Sequence, residues 1–194
     1  VLPGEFSRST QNETPRGALL APWTYTNSEL FQLEREELFY CGWMLIGHVS
    51  DFLEAGDYRT LDVGDERAIV IRDVTGELRA FHNVCRHRGS RVVSSTEGNC
   101  GRAIVCPFHG WTYELDGRLK NVPRVDKFAG LDRNQEGLLP IDLEVWQGFV
   151  FVRFRGTGPS VAEHLAPIME QVLPYRLSEM EPCGDSYICL LYTS

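Results

Sequence analysis

The sequence predicts a mainly β, antiparallel fold with a helix before it and a short helical extension after it. Three observations carry that expectation. Between Trp43 and Phe154 the chain breaks into short runs rich in β-branched and aromatic residues, separated by turn residues. Within that region Thr75-Gly76 and Asp116-Gly117 are hairpin signals, the second suited to a type I′ turn. On either side the pattern changes to helical spacing behind capping signatures.

In chain order, residues 1 to 22 hold Pro3, Gly4, Pro15, Gly17 and Pro22 among Ser, Thr and Asn, the composition of an irregular arm. The sequence starts at Val1 rather than Met, so a cut end is expected there. Thr26 and Glu29 read as a capping box opening a helix over about 27–40, with Leu30, Leu33 and Leu38 on one face. Strands are expected at Met44–Val49, Tyr58–Val63, Ala68–Arg72, Leu78–Val84, Ile104–Cys106, Trp111–Leu115, Ile141–Trp146 and Phe149–Phe154. Residues 122 to 140 form a polar connection with one short helix. Gly156, Gly158 and Pro159 mark a boundary, after which Ser160 and Glu163 form a second capping box. The helix behind it runs to about Val172, with Pro167 as a breaker. Three units follow from this reading: 1–40, 41–155 and 156–194.

Composition narrows the class of function. The net charge of −8 argues against nucleic acid as a partner. No apolar run reaches the length of a membrane span, and no signal peptide is legible. Of six cysteines, Cys41, Cys100, Cys183 and Cys189 show no paired framework, which fits a reduced, cytoplasmic protein.

The chemistry lies in Cys85-Arg86-His87 and, eighteen residues on, Cys106-Pro107-Phe108-His109. Two thiolates and two imidazoles in two short loops suit zinc or an iron–sulfur cluster. Zinc fingers usually place a Cys pair before a His pair, whereas here each loop carries one of each. In a Rieske [2Fe-2S] centre two Cys hold one iron and two His the other. Residues 85 to 119, CRHRGSRVVSSTEGNCGRAIVCPFHGWTYELDGRL, resemble the Rieske segment of ring-hydroxylating (non-heme iron) oxygenase α subunits. TYTNSELFQLEREELFYCGWMLIGHVS, upstream, resembles the N-terminal entry of the same subunits.

The resemblance implies an antiparallel Rieske domain whose cluster loops sit at hairpin tips, with Cys85, His87, Cys106 and His109 as ligands. Arg88, Gly89, Gly110 and Trp111 would surround the cluster. The two glycines suit a backbone wrapped closely round it, or are ordinary turn glycines. Trp111 and Tyr113 serve as a shield or as plain core, and His48 and His82 read as structural. Respiratory Rieske proteins add a disulfide between the loops; Ser90 and Phe108 stand at the matching positions and exclude it. Trp111 replaces a residue that is often a Ser donating to a cluster sulfur, and fewer donors lower the potential. From 85 to 109 four arginines (Arg86, Arg88, Arg91, Arg102) face one acid, Glu97, a local balance of +3 suited to an acidic electron donor.

For the complete protein the resemblance implies a mononuclear Fe(II) held by two His and a carboxylate in a separate catalytic domain. It also implies a ferredoxin or flavin reductase as donor and a head-to-tail homotrimer. There a carboxylate would link His109 to an iron-ligating His of the neighbour. Substrates in the family are aromatic rings or the methyl groups of quaternary amines. The competing readings are a free-standing Rieske ferredoxin-like carrier and a zinc-bound structural module. The N-terminal helix and the extension after residue 155 favour the oxygenase.

Residues 187–194 do not resemble the family's continuation, and a junction or truncated reading frame is expected there. Beyond the two loops the sequence offers only His164, so a facial triad cannot be built from these residues. The isolated chain is therefore expected to show no substrate-dependent oxygen consumption in an oxygen-electrode assay; a turnover signal would contradict this reading.

Overall fold

Ten strands, all paired antiparallel, make up the β region in the computed structural model, which describes residues 20–181 and 183. They are β1 (Met44–His48), β2 (Asp57–Val63), β3 (Glu66–Arg72), β4 (Leu78–His82) and β5 (Glu97–Asn99). β6 (Ile104–Val105), β7 (Thr112–Tyr113), β8 (Leu119–Asn121), β9 (Asp142–Trp146) and β10 (Phe149–Arg153) follow. Three sheets result, in the orders β4-β3-β2-β5, β1-β10-β9 and β6-β7-β8.

The run Ala68-Ile69-Val70-Ile71 in β3 offers no polar residue to solvent, so its strand must be covered on both faces. All four residues are fully buried. Their side chains alternate, as strand geometry requires. Ile69 and Ile71 enter a core with Phe81, Val92, Ile104, Trp111, Tyr113, Leu115 and both motif cysteines. Ala68 and Val70 enter a second core with Tyr40, Ile46, Phe52, Ala80, Val150, Val152 and Phe154. Each large apolar side chain buried this way contributes about 1.5–3 kcal/mol. β3 is thus the shared wall on which both halves of the fold rest.

All eight expected strands are present, with ends shifted by two residues at most. β5 and β8 lie outside the expectation, because three residues such as Glu97-Gly98-Asn99 are too few to show an alternation. Only the second Cys/His loop is a hairpin tip, between β6 and β7; the first follows β4 and leads toward β5, which pairs with β2. The Asp116-Gly117 turn is not type I′, since only its glycine has positive φ. Gly117 N–H donates to the Glu114 carbonyl, and Glu114 N–H to that of Arg118, closing a three-residue loop. Gln147-Gly148, with φ of 50° and 86°, has the two positive angles instead and joins β9 to β10.

The N-terminal helix differs in its cap and its face. Asn27, not Thr26, caps α1 (Ser28–Glu34), its side chain accepting from Leu30 N–H at 2.7 Å. The α-register then gives way to a π-helical segment, Arg35–Tyr40. Leu33 and Leu38 face outward, and the wider turn carries Tyr40 inside. Its hydroxyl accepts from Arg35 and from Asp65 N–H, fixing the segment to the β2–β3 turn.

At the other end Ser160 and Glu163 form the expected reciprocal cap on α2 (Val161–Leu165). Pro167 interrupts the helix through a 3-10 turn at Ala166–Ile168 before α3 (Met169–Val172). The expected short helix in the polar connection is the 3-10 turn Val125–Lys127. Most of the expected arm (residues 1–19), Cys189 and the tail from 187 lie outside the described residues. Among the described residues no helix is long and apolar enough to cross a membrane.

Asp73, buried between β3 and β4, ties down their turn. Its carboxylate accepts from Thr75 N–H and Oγ1, Glu77 N–H and Arg79 Nε, at 2.6–3.0 Å. Burial alone would raise its pKa; the Thr75, Arg79 and Glu77 donors outweigh it and hold the carboxyl at about 2, against 3.8. A depressed carboxyl stabilises the fold above its ordinary pKa, and that contribution is lost as pH falls from about 4 through about 2. Asp73→Asn should lower stability at pH 7 by about 2 kcal/mol and flatten the acid limb across this window. Urea denaturation at pH 7 and pH 3 checks both; parallel curves for the two proteins would contradict the assignment.

Candidate metal centre

The two Cys/His loops share one backbone design. In the first, Cys85 N–H donates to Ser90 O (2.7 Å) and Gly89 N–H to Cys85 O (2.9 Å). In the second, Cys106 N–H donates to Trp111 O (2.8 Å) and Gly110 N–H to Cys106 O (3.0 Å). Closing such a loop requires a left-handed residue at its fourth step, and Gly89 and Gly110 supply φ of 72° and 71°. This angle by itself favours glycine at both positions, and a Cβ on Gly110 would also lie 3.3 Å from Pro123 Cγ.

Loop two is held as a hairpin, but loop one has no strand partner. Asn83, fully buried just before it, does that work. Its side-chain oxygen accepts from Val92 and Val93 N–H (both 3.1 Å), and its amide donates to Val93 O (2.9 Å). Leaving those groups unpaired would cost about 1–3 kcal/mol each.

The four donors divide by depth. Cys85 and Cys106 are buried, 2% and 1% exposed, whereas His87 is half-buried and His109 is exposed. The imidazoles meet edge to face with centroids 4.7 Å apart. Trp111 stacks on His87 at 5.1 Å and 8°. Phe128 sets its edge against both rings, 5.5 Å from His87 and 5.7 Å from Trp111. Among the described residues His87 Nδ1 is buried without a hydrogen-bond partner, an orphan that a bound metal would satisfy.

Each sulfur has a hydroxyl beside it, reaching across from the other loop's side. Tyr113 Oη lies 3.2 Å from Cys85 Sγ, and Ser90 Oγ lies 3.3 Å from Cys106 Sγ. Tyr113 Oη accepts from Arg86 N–H at 3.0 Å, which leaves its proton for the sulfur. Burial pushes the Cys85 thiol up, against the Tyr113 hydroxyl and His87 N–H. Burial acts likewise on Cys106, but Ser90, the Phe108 N–H, Cys85 and the His109 N–H outweigh it and draw that thiol down. Burial, followed by the charges of His109 and Arg88, lowers His87. Ser90 and Tyr113 thus set one hydroxyl beside each cysteine sulfur.

Ser90 entered the sequence argument only as a missing cysteine, and Tyr113 only as shield or core. The usable signal was the alternation of Trp111 and Tyr113, which turns both toward loop one. Asn83 and Phe128 carried no legible signal. Of the four arginines in the +3 stretch, Arg86 pairs with Glu136 (3.5 Å) and Arg91 with Asp62 (2.5 Å). The basic rim is instead Arg88 with Arg124 and Lys127, which line a cleft of about 530 Å³ beside His87 and His109. His48 caps a turn, its Nδ1 2.9 Å from Ser50 Oγ, and His82 lies 3.3 Å from Glu66. His164 is exposed on α2.

Among the described residues no three His, Cys, Asp or Glu side chains group as ligands of one ion. A buried sulfur pair and an outer imidazole pair fit two metals with two protein ligands each.

Comparison with known proteins places the two loops inside a recognised family. The Rieske [2Fe-2S] domain family matches residues 42–141. The glycine betaine monooxygenase oxygenase subunit of Chromohalobacter salexigens is 36% identical over 170 residues, covering 84% of this chain and 36% of that protein. Naphthalene 1,2-dioxygenase superposes with a TM-score of 0.70 at 35% identity, over 75% of this chain and 33% of that one. A quaternary ammonium Rieske monooxygenase, described for carnitine oxidation and inter-subunit electron transfer, gives 0.72 at 33%, over 78% and 41%. The chain thus spans roughly a third to two-fifths of the length of these relatives. Two loops that split their donors two and two, within a stretch matched over more than half the sequence, make this chain a member of the Rieske [2Fe-2S] domain family.

Proposed function

We propose that Cys85 and Cys106 hold the inner iron of the cluster as thiolates and that His87 and His109 hold the outer iron through ring nitrogens. The observation that carries this is the depth order: buried sulfurs behind a pair of imidazoles at the cleft. Bound there, a Rieske cluster supplies one-electron transfer. The chain's own residues keep water from the sulfurs, with Ile69, Ile71 and Trp111 in the surrounding core. Trp111 and Phe128 hold the His87 ring in place. His109, the more exposed ligand, keeps a ring nitrogen available to a partner's carboxylate.

The complete protein is an oxygenase α subunit in which this unit, residues 41–155, delivers electrons for O2-dependent oxidation. Its substrate is a quaternary ammonium compound, demethylated oxidatively, or an aromatic ring, hydroxylated. The similarity to oxygenase subunits extends over 84% of the chain, beyond residues 42–141. That extent favours the oxygenase over a stand-alone Rieske ferredoxin. A catalytic domain with mononuclear iron, a homotrimer and a ferredoxin or flavin reductase complete the system. Arg88, Arg124 and Lys127, with no paired carboxylate among the described residues, give the cleft the sign that attracts an acidic donor.

Anaerobic reconstitution with iron and sulfide should give iron and labile sulfide in equal amounts, with a Rieske-type visible spectrum. Cys85→Ser or Cys106→Ser should abolish both. Stoichiometric zinc without labile sulfide in protein prepared anaerobically would contradict the assignment.

A further inference from the structure

We infer that Ser90 is a positioning residue that sets the electron affinity of the cluster through its hydrogen bond to Cys106, an inference that rests on the ligand assignment above. Ser90 ends loop one, where its carbonyl accepts the Cys85 N–H, so its backbone is fixed by the loop closure itself. Its side chain reaches the sulfur of the opposite loop at 3.3 Å. Among the described residues the hydroxyl has no other hydrogen-bond partner, and a metal-bound thiolate carries no proton. The serine must then be the donor.

The geometry gives this hydroxyl a role separate from that of Tyr113. Tyr113 serves Cys85 and also accepts the Arg86 N–H, so it is part of the fabric of loop one. Among the described residues the Ser90 side chain makes one hydrogen bond, and it is with sulfur. Cys106 also takes the backbone N–H groups of Phe108 and His109, so one more donor acts on a sulfur that already carries several. Reduction by an iron–sulfur or flavin reductase adds one electron to the cluster, with no bond made or broken. The added negative charge is spread partly over the ligand sulfurs. A donor aimed at that sulfur favours the reduced form more than the oxidised one and raises the potential.

The test compares midpoint potentials of the reconstituted chain and its Ser90→Ala, Ser90→Thr and Ser90→Val forms, with iron, sulfide and visible circular dichroism measured on each. Threonine and valine have nearly the same shape and differ in the hydroxyl. Ser90→Thr should keep a potential near that of the parent. Ser90→Val and Ser90→Ala should keep the cluster and its spectrum but shift downward. The reduced-to-oxidised ratio at fixed potential should fall by up to about tenfold, or about 59 mV for a one-electron couple. Equal potentials in the threonine and valine forms would overturn the inference. So would loss of the cluster in both forms lacking the hydroxyl, since Ser90 would then hold the loop together rather than bias its electron affinity. A parent chain that takes up no iron and sulfide would contradict the ligand assignment instead.

Discussion

Two loops that belong to different sheets must present their sulfurs and imidazoles to one shared space, and the rest of the structure answers to that requirement. β3 provides the fixed reference. Buried on both faces, it binds the two cores into one body, and Ile69 and Ile71 lie in the same core as both motif cysteines. Loop two rides on a hairpin. Loop one has no such support, and its contacts are correspondingly specific: Asn83 grips the chain beyond it, Trp111 stacks on its histidine, and Tyr113 bonds its cysteine. Ser90 returns the contact by bonding the cysteine of loop two. The loops are laced to each other by side chains rather than by the disulfide that positions 90 and 108 cannot form.

The same arrangement manages charge. Burying a thiolate is costly unless donors surround it. Backbone N–H groups and the two hydroxyls meet that need on the inner side, while the imidazoles face a cleft lined by Arg88, Arg124 and Lys127. A chain of net charge −8 therefore presents a basic face beside His87 and His109. Which arginines form that face depends on folding. Glu136 and Asp62, distant in sequence, pair with Arg86 and Arg91, while the turn at Val125–Lys127 brings in cations from outside the motif.

Much of this was legible in the sequence, for identifiable reasons. The pair of Cys/His loops is plain from residue type and spacing, and the strands follow from long runs such as Ala68–Ile71 that allow one interpretation. Three-residue strands escape because neither Glu97-Gly98-Asn99 nor Leu119-Lys120-Asn121 contains a full alternation. The helix face over 27–40 was misjudged because the step into π-helix at Arg35 alters the phase without any proline or glycine to announce it. The residues that tune and brace the site (Ser90, Asn83, Phe128) escaped because their roles are relations across the fold. A serine beside a sulfur sixteen residues away leaves no mark in the local pattern.

The central claim is that sulfur and imidazole ligands are segregated, with His87 and His109 together on one metal. Pulsed EPR of the reduced, reconstituted chain carrying 15N-labelled histidine tests this directly. Hyperfine coupling to two histidine nitrogens is the predicted result. Coupling to one nitrogen, or to none as in a cluster held by sulfur alone, would contradict it.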